Sequence, residues 1–325
     1  QRPALTIVTR GGNKFLLIAF SSSCDAPNPF YGWLYSYNVT NPSAQNLAPA
    51  GLWNDSSANT DPDGSFAQGG IWMSGMGPAV DNSGNVYLAT GNGDYYNPGT
   101  VYSDSIVKLT VNATTGALAP VDYFTPYNQH DLQFSDLDLG VSGVSWIQSA
   151  NMLLSGSKEG KLYLLNANNL GGYKQGQGGT DGVLCKMQGS CDQFGPKSGQ
   201  SGECRLADAA PAYPALNQPA NCQGNIIVPA GDAGYNADAN IVYPVDGAVN
   251  AQNWPINCFY DQQSWPHLHG APLYWEGGGQ WTYYAGQYDF VRAVQIDTTL
   301  KKFTNNFAVA SGIAPTIGYG GLMSV

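Results

Sequence analysis

Four copies of one pattern run through the chain, and each copy contains three apolar stretches separated by turn residues. The stretches begin at Pro3, Lys14 and Gly32 in the first copy, Gly77, Gly84 and Asp104 in the second, Gly140, Asn151 and Gly160 in the third, and Gly270, Gln280 and Asp289 in the fourth. A repeated unit of three or four strands is typical of a β-propeller, in which each unit forms one blade. We therefore predict an all-β propeller with blades at about 1–53, 75–126, 139–173 and 267–307.

The repeats do not account for a complete ring. The first stretch opens at Pro3, and residues 314–325 resemble the opening strand of another blade. A propeller closes on itself and so removes the exposed edges of its sheets. We expect residues 1–325 to form a single propeller domain, as a fragment that lacks parts of the ring at both ends.

The segment 174–258 separates the third and fourth copies and is rich in Gly, Pro, Ala, Asn and Cys. We predict a disulfide-rich loop insertion there, because an even number of cysteines in a chain poor in lysine indicates disulfides and an oxidising compartment. The disulfide candidates are Cys24, Cys185, Cys191, Cys204, Cys222 and Cys258. The alternative for Cys24 is a free buried thiol, or a partner outside this sequence.

Charge limits the classes of partner. Only 11% of the residues are charged, and the 13 Lys and Arg against 23 Asp and Glu give a net charge of −10. Nucleic-acid and anionic-membrane surfaces need clustered cations, which this sequence does not have. We expect the partner to be a small molecule, a glycan or a protein, with no nucleic acid and no membrane insertion.

Three Asn-x-Ser/Thr sequons are candidate glycosylation sites, at Asn38, Asn54 and Asn112. Asn38 and Asn112 each follow the third stretch of a repeat, where a loop is expected at the surface. A glycan would be added only in a eukaryotic secretory route. Together with the cysteines, the sequons lead us to expect a secreted or extracellular protein, or a periplasmic one if the source is bacterial.

Several phrases of the second and third copies resemble a known family. They are Gly69-Gly-Ile-Trp72, Thr90-Gly-Asn-Gly93, Ser135-Asp-Leu-Asp-Leu-Gly140 and Gly156-Ser-Lys-Glu-Gly-Lys-Leu-Tyr-Leu-Leu165. This part of the chain is similar to the quinoprotein propellers, the repeat family of the pyrroloquinoline quinone (PQQ) alcohol dehydrogenases, and is closest in pattern to the polyvinyl-alcohol-dehydrogenase-like members. The resemblance implies a ring of seven or eight blades when complete.

In catalytic members of that family the quinone is bound with a calcium ion. The resemblance implies that Asn92 is a calcium ligand and part of the cofactor site, that Asp131 or Asp136 is the general base, and that Trp72 lies beneath the quinone. A hard cation prefers oxygen ligands, and a carboxylate beside it can accept a proton from an alcohol. The alternative is structural: Gly91-Asn92-Gly93 is also a strong turn sequence, and the carboxylates of this region can accept hydrogen bonds from backbone amides.

The sequence also departs from the catalytic pattern. The family's spacing would place the base at position 134, which is Phe134, and Asp136 comes two residues later. The glutamate expected to bind calcium, the adjacent cysteines near the quinone and a haem-attachment motif are all absent from the sequence.

Three functional hypotheses therefore stand side by side. The first is a secreted PQQ-like β-propeller that acts as a binding or scaffold module. The second is a quinoprotein dehydrogenase that oxidises an alcohol or sugar with PQQ and calcium. The third is an extracellular structural assembly protein, which the low charge and the many aromatic residues suggest.

Overall fold

The described residues of the protein form antiparallel β-sheets joined by turns, which confirms the all-β prediction. The computed structural model describes residues 3–21, 30–42, 48–56, 68–93, 100–126, 129, 132, 136–158, 162–173, 226–227, 239–243, 268–285, 291–299 and 301–309. In this part of the chain no helix is long and apolar enough to span a bilayer.

The first sheet is a meander of four antiparallel strands in chain order. The strands are β1 (Thr6–Arg10), β2 (Asn13–Phe20), β3 (Trp33–Asn38) and β4 (Gly51–Asn54). Arg10 pairs with Asn13, so Gly11 and Gly12 alone form the first hairpin loop. Both glycines have positive φ, at 56° and 85°, which is what a two-residue loop between twisted strands requires.

The second sheet repeats the same meander. Its strands are β5 (Ala79–Val80), β6 (Val86–Ala89), β7 (Ile106–Val111) and β8 (Leu118–Thr125). At the first turn, Asp81 Oδ1 accepts hydrogen bonds from the backbone amides of Ser83 and Asn85. Short polar side chains that bind nearby backbone amides in this way favour a turn over a continued strand.

The third sheet is completed by a strand from much later in the chain. Its first three strands are β9 (Val144–Ile147), β10 (Met152–Gly156) and β11 (Leu162–Asn166). The next strand, β12 (Gly172–Tyr173), pairs in parallel with β8 of the second sheet. The third sheet is then extended by β13 (Ile226–Ile227) and β14 (Ala239–Tyr243), with β14 paired to β11.

The fourth sheet is again a four-stranded antiparallel meander. Its strands are β15 (Leu273–Trp275), β16 (Trp281–Ala285), β17 (Val291–Asp297) and β18 (Lys302–Val309). Each apolar stretch of the sequence pattern thus coincides with a strand, and each repeat gains a fourth strand that the pattern did not mark.

Neighbouring sheets share hydrophobic cores. The first and second sheets bury Val8, Phe15, Leu17, Ala19, Leu34, Trp53, Val86, Leu88, Val107, Leu109 and Val111 between them. The third and fourth sheets bury Ile147, Met152, Leu154, Leu162, Leu164, Tyr284, Val294, Ile296 and Phe303. Alternation along the strands directs these side chains to one face, where burial of apolar surface stabilises the contact.

The second and third sheets meet through a more polar set of contacts. Phe124 and Tyr163 approach with ring centroids 5.5 Å apart. Lys108 Nζ donates to the carbonyl of Ala167 at 2.8 Å, and the amide of Leu170 donates to Asp122 Oδ2 at 2.9 Å. The sheets therefore contact one another in chain order, first to second, second to third and third to fourth.

The boundaries of two predicted segments can be refined. The third blade was predicted to reach residue 173, but Gly172–Tyr173 joins the second sheet. The predicted insertion 174–258 contains β13 and β14, whose backbones pair with the third sheet. The rest of the segment, with Cys185, Cys191, Cys204, Cys222 and Cys258, lies outside the described residues, as does Cys24.

Two of the sequon asparagines are exposed at, or just after, the end of a strand. Asn38 and Asn112 are both exposed, and Asn54 is half-buried. Asn38 Oδ1 accepts the amide hydrogen of Thr40, and Asn112 Oδ1 accepts those of Thr114 and Thr115. The expected surface position of Asn38 and Asn112 is therefore present, while glycosylation itself stays a prediction.

Candidate functional site

Three side chains singled out in the sequence lie close together where the second sheet meets the third. Asn92 follows β6, and its Nδ2 donates to Asp136 Oδ1 at 3.0 Å. Trp72 lies beside Gly91, the residue before Asn92: a Cβ added at Gly91 would be 2.8 Å from Trp72 Cδ1. The family resemblance thus pointed to residues that are neighbours in space. The fourth candidate, Asp131, lies outside the described residues, as does Phe134.

Lys158 joins two carboxylates at this junction. Its Nζ lies 2.6 Å from Asp138 Oδ2 and 3.0 Å from Asp136 Oδ1. The Lys158 and Asp138 side chains are only 14% and 9% exposed, whereas that of Asp136 is 64% exposed. Burial alone would lower the pKa of Lys158, but the carboxylates of Asp138 and Asp136 outweigh it and raise that pKa. Lys158 is therefore held as a charged ammonium between the two aspartates.

Asp138 also fixes the backbone of the neighbouring loop. Its Oδ1 accepts the amide hydrogen of Asn92 at 2.8 Å, while its Oδ2 contacts Lys158. The amide of Lys158 in turn donates to the Asp138 carbonyl at 3.1 Å. One carboxylate thus ties the loop after β6 to the loop after β10. This is the structural role considered for the carboxylates of this region.

A buried carboxyl that the sequence did not reveal lies next to this network. Asp104 is fully buried, and its Oδ1 accepts the amide hydrogen of Leu139 at 3.0 Å. Its Oδ2 is buried and has no hydrogen-bond partner among the described residues. Burial raises the pKa of Asp104 well above its ordinary value, and the nearby Asp138 carboxylate adds to the shift. Asp104 is therefore favoured in its protonated, neutral form.

Glycine is required where the loops pack together. A Cβ at Gly91 would overlap Asp138 Oδ1 and press on the Trp72 ring. A Cβ at Gly93 would overlap Ser103 Oγ, and one at Gly69, where φ is +92°, would overlap Asp55 Oδ2. The glycines of the Gly69-Gly70 and Thr90-Gly-Asn-Gly93 phrases thus permit close approach of backbone and side chain, which is a structural reason for those phrases.

Asp55 is a second buried carboxyl, at the end of the first sheet. It is fully buried, and its Oδ1 accepts the amide hydrogen of Gly32 at 2.8 Å. Burial raises the pKa of Asp55 well above its ordinary value, although hydrogen bonds from Ser56 and Gly32 partly oppose the shift. Neither Asp55 nor Asp104 stood out in the sequence, because burial of a single aspartate leaves no periodic signal.

The arrangement does not fit the quinone and calcium that the resemblance implies. Trp72 is 5% exposed, covered by Gly70 and Gly91 and by an edge contact with Phe30 at 6.2 Å, so its ring face is not available for stacking on a quinone. The ammonium of Lys158 already lies between Asp136 and Asp138, in the position from which a calcium ion would have to approach both carboxylates. No group of three His, Cys, Asp or Glu suited to a metal ion occurs among the described residues.

One atom does match the implied role. Asn92 Oδ1 is buried and has no hydrogen-bond partner in the described part of the chain. An amide oxygen is a suitable ligand for a hard cation. A single oxygen beside two carboxylates that already share the Lys158 ammonium, however, does not make a cation site. The chain matches no protein-family model, and no curated protein is significantly similar to it.

Proposed function

We propose that the chain adopts a PQQ-like β-propeller fold and acts as a non-catalytic binding or scaffold module. Four sheets of four or five strands, which are mostly antiparallel and pack against one another in chain order, support the propeller. Such a ring presents its loops and strand ends to partners from a rigid scaffold. A secretory location and disulfides belong to the same proposal, and mass analysis with and without a reductant would count the disulfides directly.

The Lys158 ion-pair network is the observation that carries the non-catalytic proposal. A general base needs a carboxylate that can accept a proton from substrate, with its pKa near the working pH. Asp136 is instead exposed to solvent and paired with Lys158, and Asp138 is occupied by Lys158 and the Asn92 amide. Both carboxylates are thus engaged by Lys158 and by neighbouring amide groups of the protein, as expected of a structural clamp.

A cofactor titration tests the absence of catalysis. The chain is mixed with PQQ and Ca²⁺, followed by calorimetry, by visible absorbance and by a dye-linked assay with primary alcohols and sugars. We expect no saturable binding and no turnover. Turnover that is lost in Asp136→Asn and in Asn92→Ala but kept in Asp122→Asn would overturn the proposal and favour the quinoprotein dehydrogenase.

The binding role needs its own experiment. Labelled protein is applied to glycan and peptide arrays at physiological ionic strength. Because the net charge is −10, we expect hits among neutral or cationic ligands and none among nucleic acids. An array without reproducible hits would remove the binding role and leave the scaffold role alone.

A further inference from the structure

Each of the four sheets ends its third strand with the same local turn. Asn38, Asn112, Asn166 and Asp297 lie at or just after those strand ends, and the Oδ1 atom of each accepts the amide hydrogen of the residue two positions later. Short polar side chains favour such turns because they supply a local acceptor for the backbone. The turn therefore accounts for an asparagine or aspartate at this position. It does not require a hydroxyl group two positions later, since Asn168 occupies that place in the third sheet.

The sequon at Asn112 contains a threonine that the turn does not require. Asn112 and Thr114 are both exposed, and the turn holds Thr114 through its backbone amide, 2.9 Å from Asn112 Oδ1. The hydroxyl that supports the turn is that of Thr115, which accepts the amide hydrogen of Ala117 at 3.2 Å. An exposed asparagine with an exposed hydroxyl residue two positions later is the acceptor pattern for an N-linked glycan.

The sequon at Asn38 presents its asparagine in the same way. Asn38 is exposed, and its Oδ1 accepts the amide hydrogen of Thr40 at 3.0 Å. An N-linked glycan is attached through the amide nitrogen Nδ2, so the carbonyl oxygen Oδ1 can still accept the hydrogen bond of the turn. Asn38 and Asn112 can therefore carry a glycan without loss of the turns that they form.

The sequon at Asn54 differs from the other two because the fold buries it. Asn54 is half-buried at the end of β4, where its backbone pairs with Trp33. Asp55 is fully buried, and Ser56 is 1% exposed and donates its hydroxyl hydrogen to the carbonyl of Gln68 at 2.5 Å. A glycan is bulky and hydrated, so it would displace this segment from its contacts. The folded chain therefore excludes a glycan at Asn54.

The two exposed sequons lie side by side. Asn13 Nδ2 donates to the carbonyl of Ala113, the middle residue of the Asn112 sequon, at 2.8 Å. The hydroxyl of Thr40, the last residue of the Asn38 sequon, donates to Asn13 Oδ1 at 3.3 Å. Both sequons thus lie at one end of the first two sheets, where the third strands turn back, and we name this end the hairpin end.

The hairpin end is remote from the polar junction. Strand β7 begins at Ile106, two positions after the buried Asp104, and ends at Val111, directly before Asn112. Its six residues, at about 3.3 Å per residue, separate the two ends by roughly 20 Å. A modification at the hairpin end therefore leaves the contacts of Lys158 unchanged.

We propose that Asn38 and Asn112 each carry an N-linked glycan in the folded protein and that Asn54 carries none. This inference rests on the secretory location that is part of the proposed function. Two neighbouring glycans cover the hairpin end of the first two sheets with a hydrated layer, while the end that contains the polar junction stays free of sugar. Partners of the module are then confined to surfaces other than the hairpin end.

Site-specific mass spectrometry tests the proposal on the whole chain, purified from its natural source and also secreted from a eukaryotic host. Glycans are released enzymatically in heavy-oxygen water, which converts each glycosylated asparagine to a labelled aspartate. We expect the label at Asn38 and Asn112 and none at Asn54. Asn38→Gln should lose one glycan, and Asn54→Gln should keep both. Thr114→Ala should lose the glycan at Asn112 but keep the turn, because the turn uses only the backbone amide of Thr114.

Circular dichroism confirms that each sample is folded. A folded natural chain without label at Asn38 and Asn112 would overturn the proposal, and so would a folded chain labelled at Asn54. The result is independent of the proposed binding role. A chain without glycans that still binds an array ligand would overturn only the glycan sites, whereas a chain with both glycans and no array ligand would remove only the binding role.

Discussion

Two contacts between neighbouring sheets are built from opposite chemistry. The interface of the first sheet with the second is a layer of alternating apolar side chains, centred on residues such as Phe15 and Leu17. The junction of the second sheet with the third is organised by Lys158, Asp138 and closely packed glycines. An apolar layer contributes stability over a broad area, whereas a buried ion pair contributes little net stability but fixes which groups meet.

The largest expected effect comes from truncating the apolar layer. Phe15→Ala removes a fully buried ring, so we expect a loss of about 3–5 kcal/mol in the free energy of unfolding. Urea unfolding followed by fluorescence measures it. The matched control is Phe20→Ala on the opposite face of the same strand, where the ring is half-buried and the loss should be clearly smaller. Equal losses would contradict the placement of Phe15 and Phe20 on opposite faces of the sheet.

The next effect tests whether the polar junction depends on pairing. Lys158→Met leaves Asp138 in a buried position without its counter-charge, so we expect a loss of about 3 kcal/mol in the free energy of unfolding. The double variant with Asp138→Asn should recover part of the loss, because asparagine keeps an oxygen for the Asn92 amide and removes the unpaired charge. If Lys158→Met left the free energy of unfolding unchanged, the network would not act as a clamp.

The two buried carboxyls predict a pH dependence. The pKa of Asp55 and that of Asp104 are raised by burial in the folded protein, so the folded state holds protons that the unfolded state releases above its ordinary pKa near 3.8. Their stabilising contribution is therefore full below that value and declines as pH rises towards the folded-state pKa. Each group contributes a slope of up to about 1.4 kcal/mol per pH unit within that window.

Asp55→Asn provides the measurement. Asparagine keeps the acceptor for the Gly32 amide but does not ionise, so unfolding free energies measured from pH 4 to 8 should fall less steeply than in the wild type. Asp81→Asn is a contrasting variant, because hydrogen bonds from Asn85 and Tyr87 outweigh desolvation and lower the pKa of Asp81. An unchanged slope in Asp55→Asn would exclude Asp55 as a source of the pH dependence.

The smallest expected effect concerns close packing in the polar junction. Gly91→Ala places a methyl group against Asp138 and Trp72, so we expect a loss of about 1–2 kcal/mol. Gly12→Ala separates steric from backbone effects, because its Cβ would meet nothing within 4 Å while its φ is +85°. A Gly91→Ala variant as stable as the wild type would mean that the loop shifts without cost.

The strands could be predicted from the sequence because period-two alternation is a local signal. The first three strands of every repeat were located in this way. The fourth strand of the first sheet, Gly51–Asn54, was missed because it is short and follows a run rich in Asn, Pro and Ala. β14 was missed because its pairing with β11 joins segments far apart in the chain, which no local pattern reports.

The candidate site was predictable only in part. The phrases around Trp72, Asn92 and Asp136 identified residues that lie together, but they did not reveal that Lys158 bonds Asp136 and Asp138. Lys158 stands two residues from Gly156 and from Gly160, a pattern typical of a turn, and its burial depends on the packing of two sheets. Asp104 was likewise invisible, since its burial depends on loops from both sides.

The late strand β14 has a consequence for biosynthesis. The four antiparallel strands of the second sheet end at Thr125, so the layer that they share with the first sheet can form soon after that residue leaves the ribosome. The third sheet must wait for Ala239–Tyr243. The 77 residues from Asn166, the end of β11, to Tyr243 take roughly 4–15 s at about 5–20 residues per second, far longer than a hairpin needs to form. During that time the edge of β11 lacks the strand that pairs with it in the folded sheet, and an unpaired strand edge favours pairing with other chains.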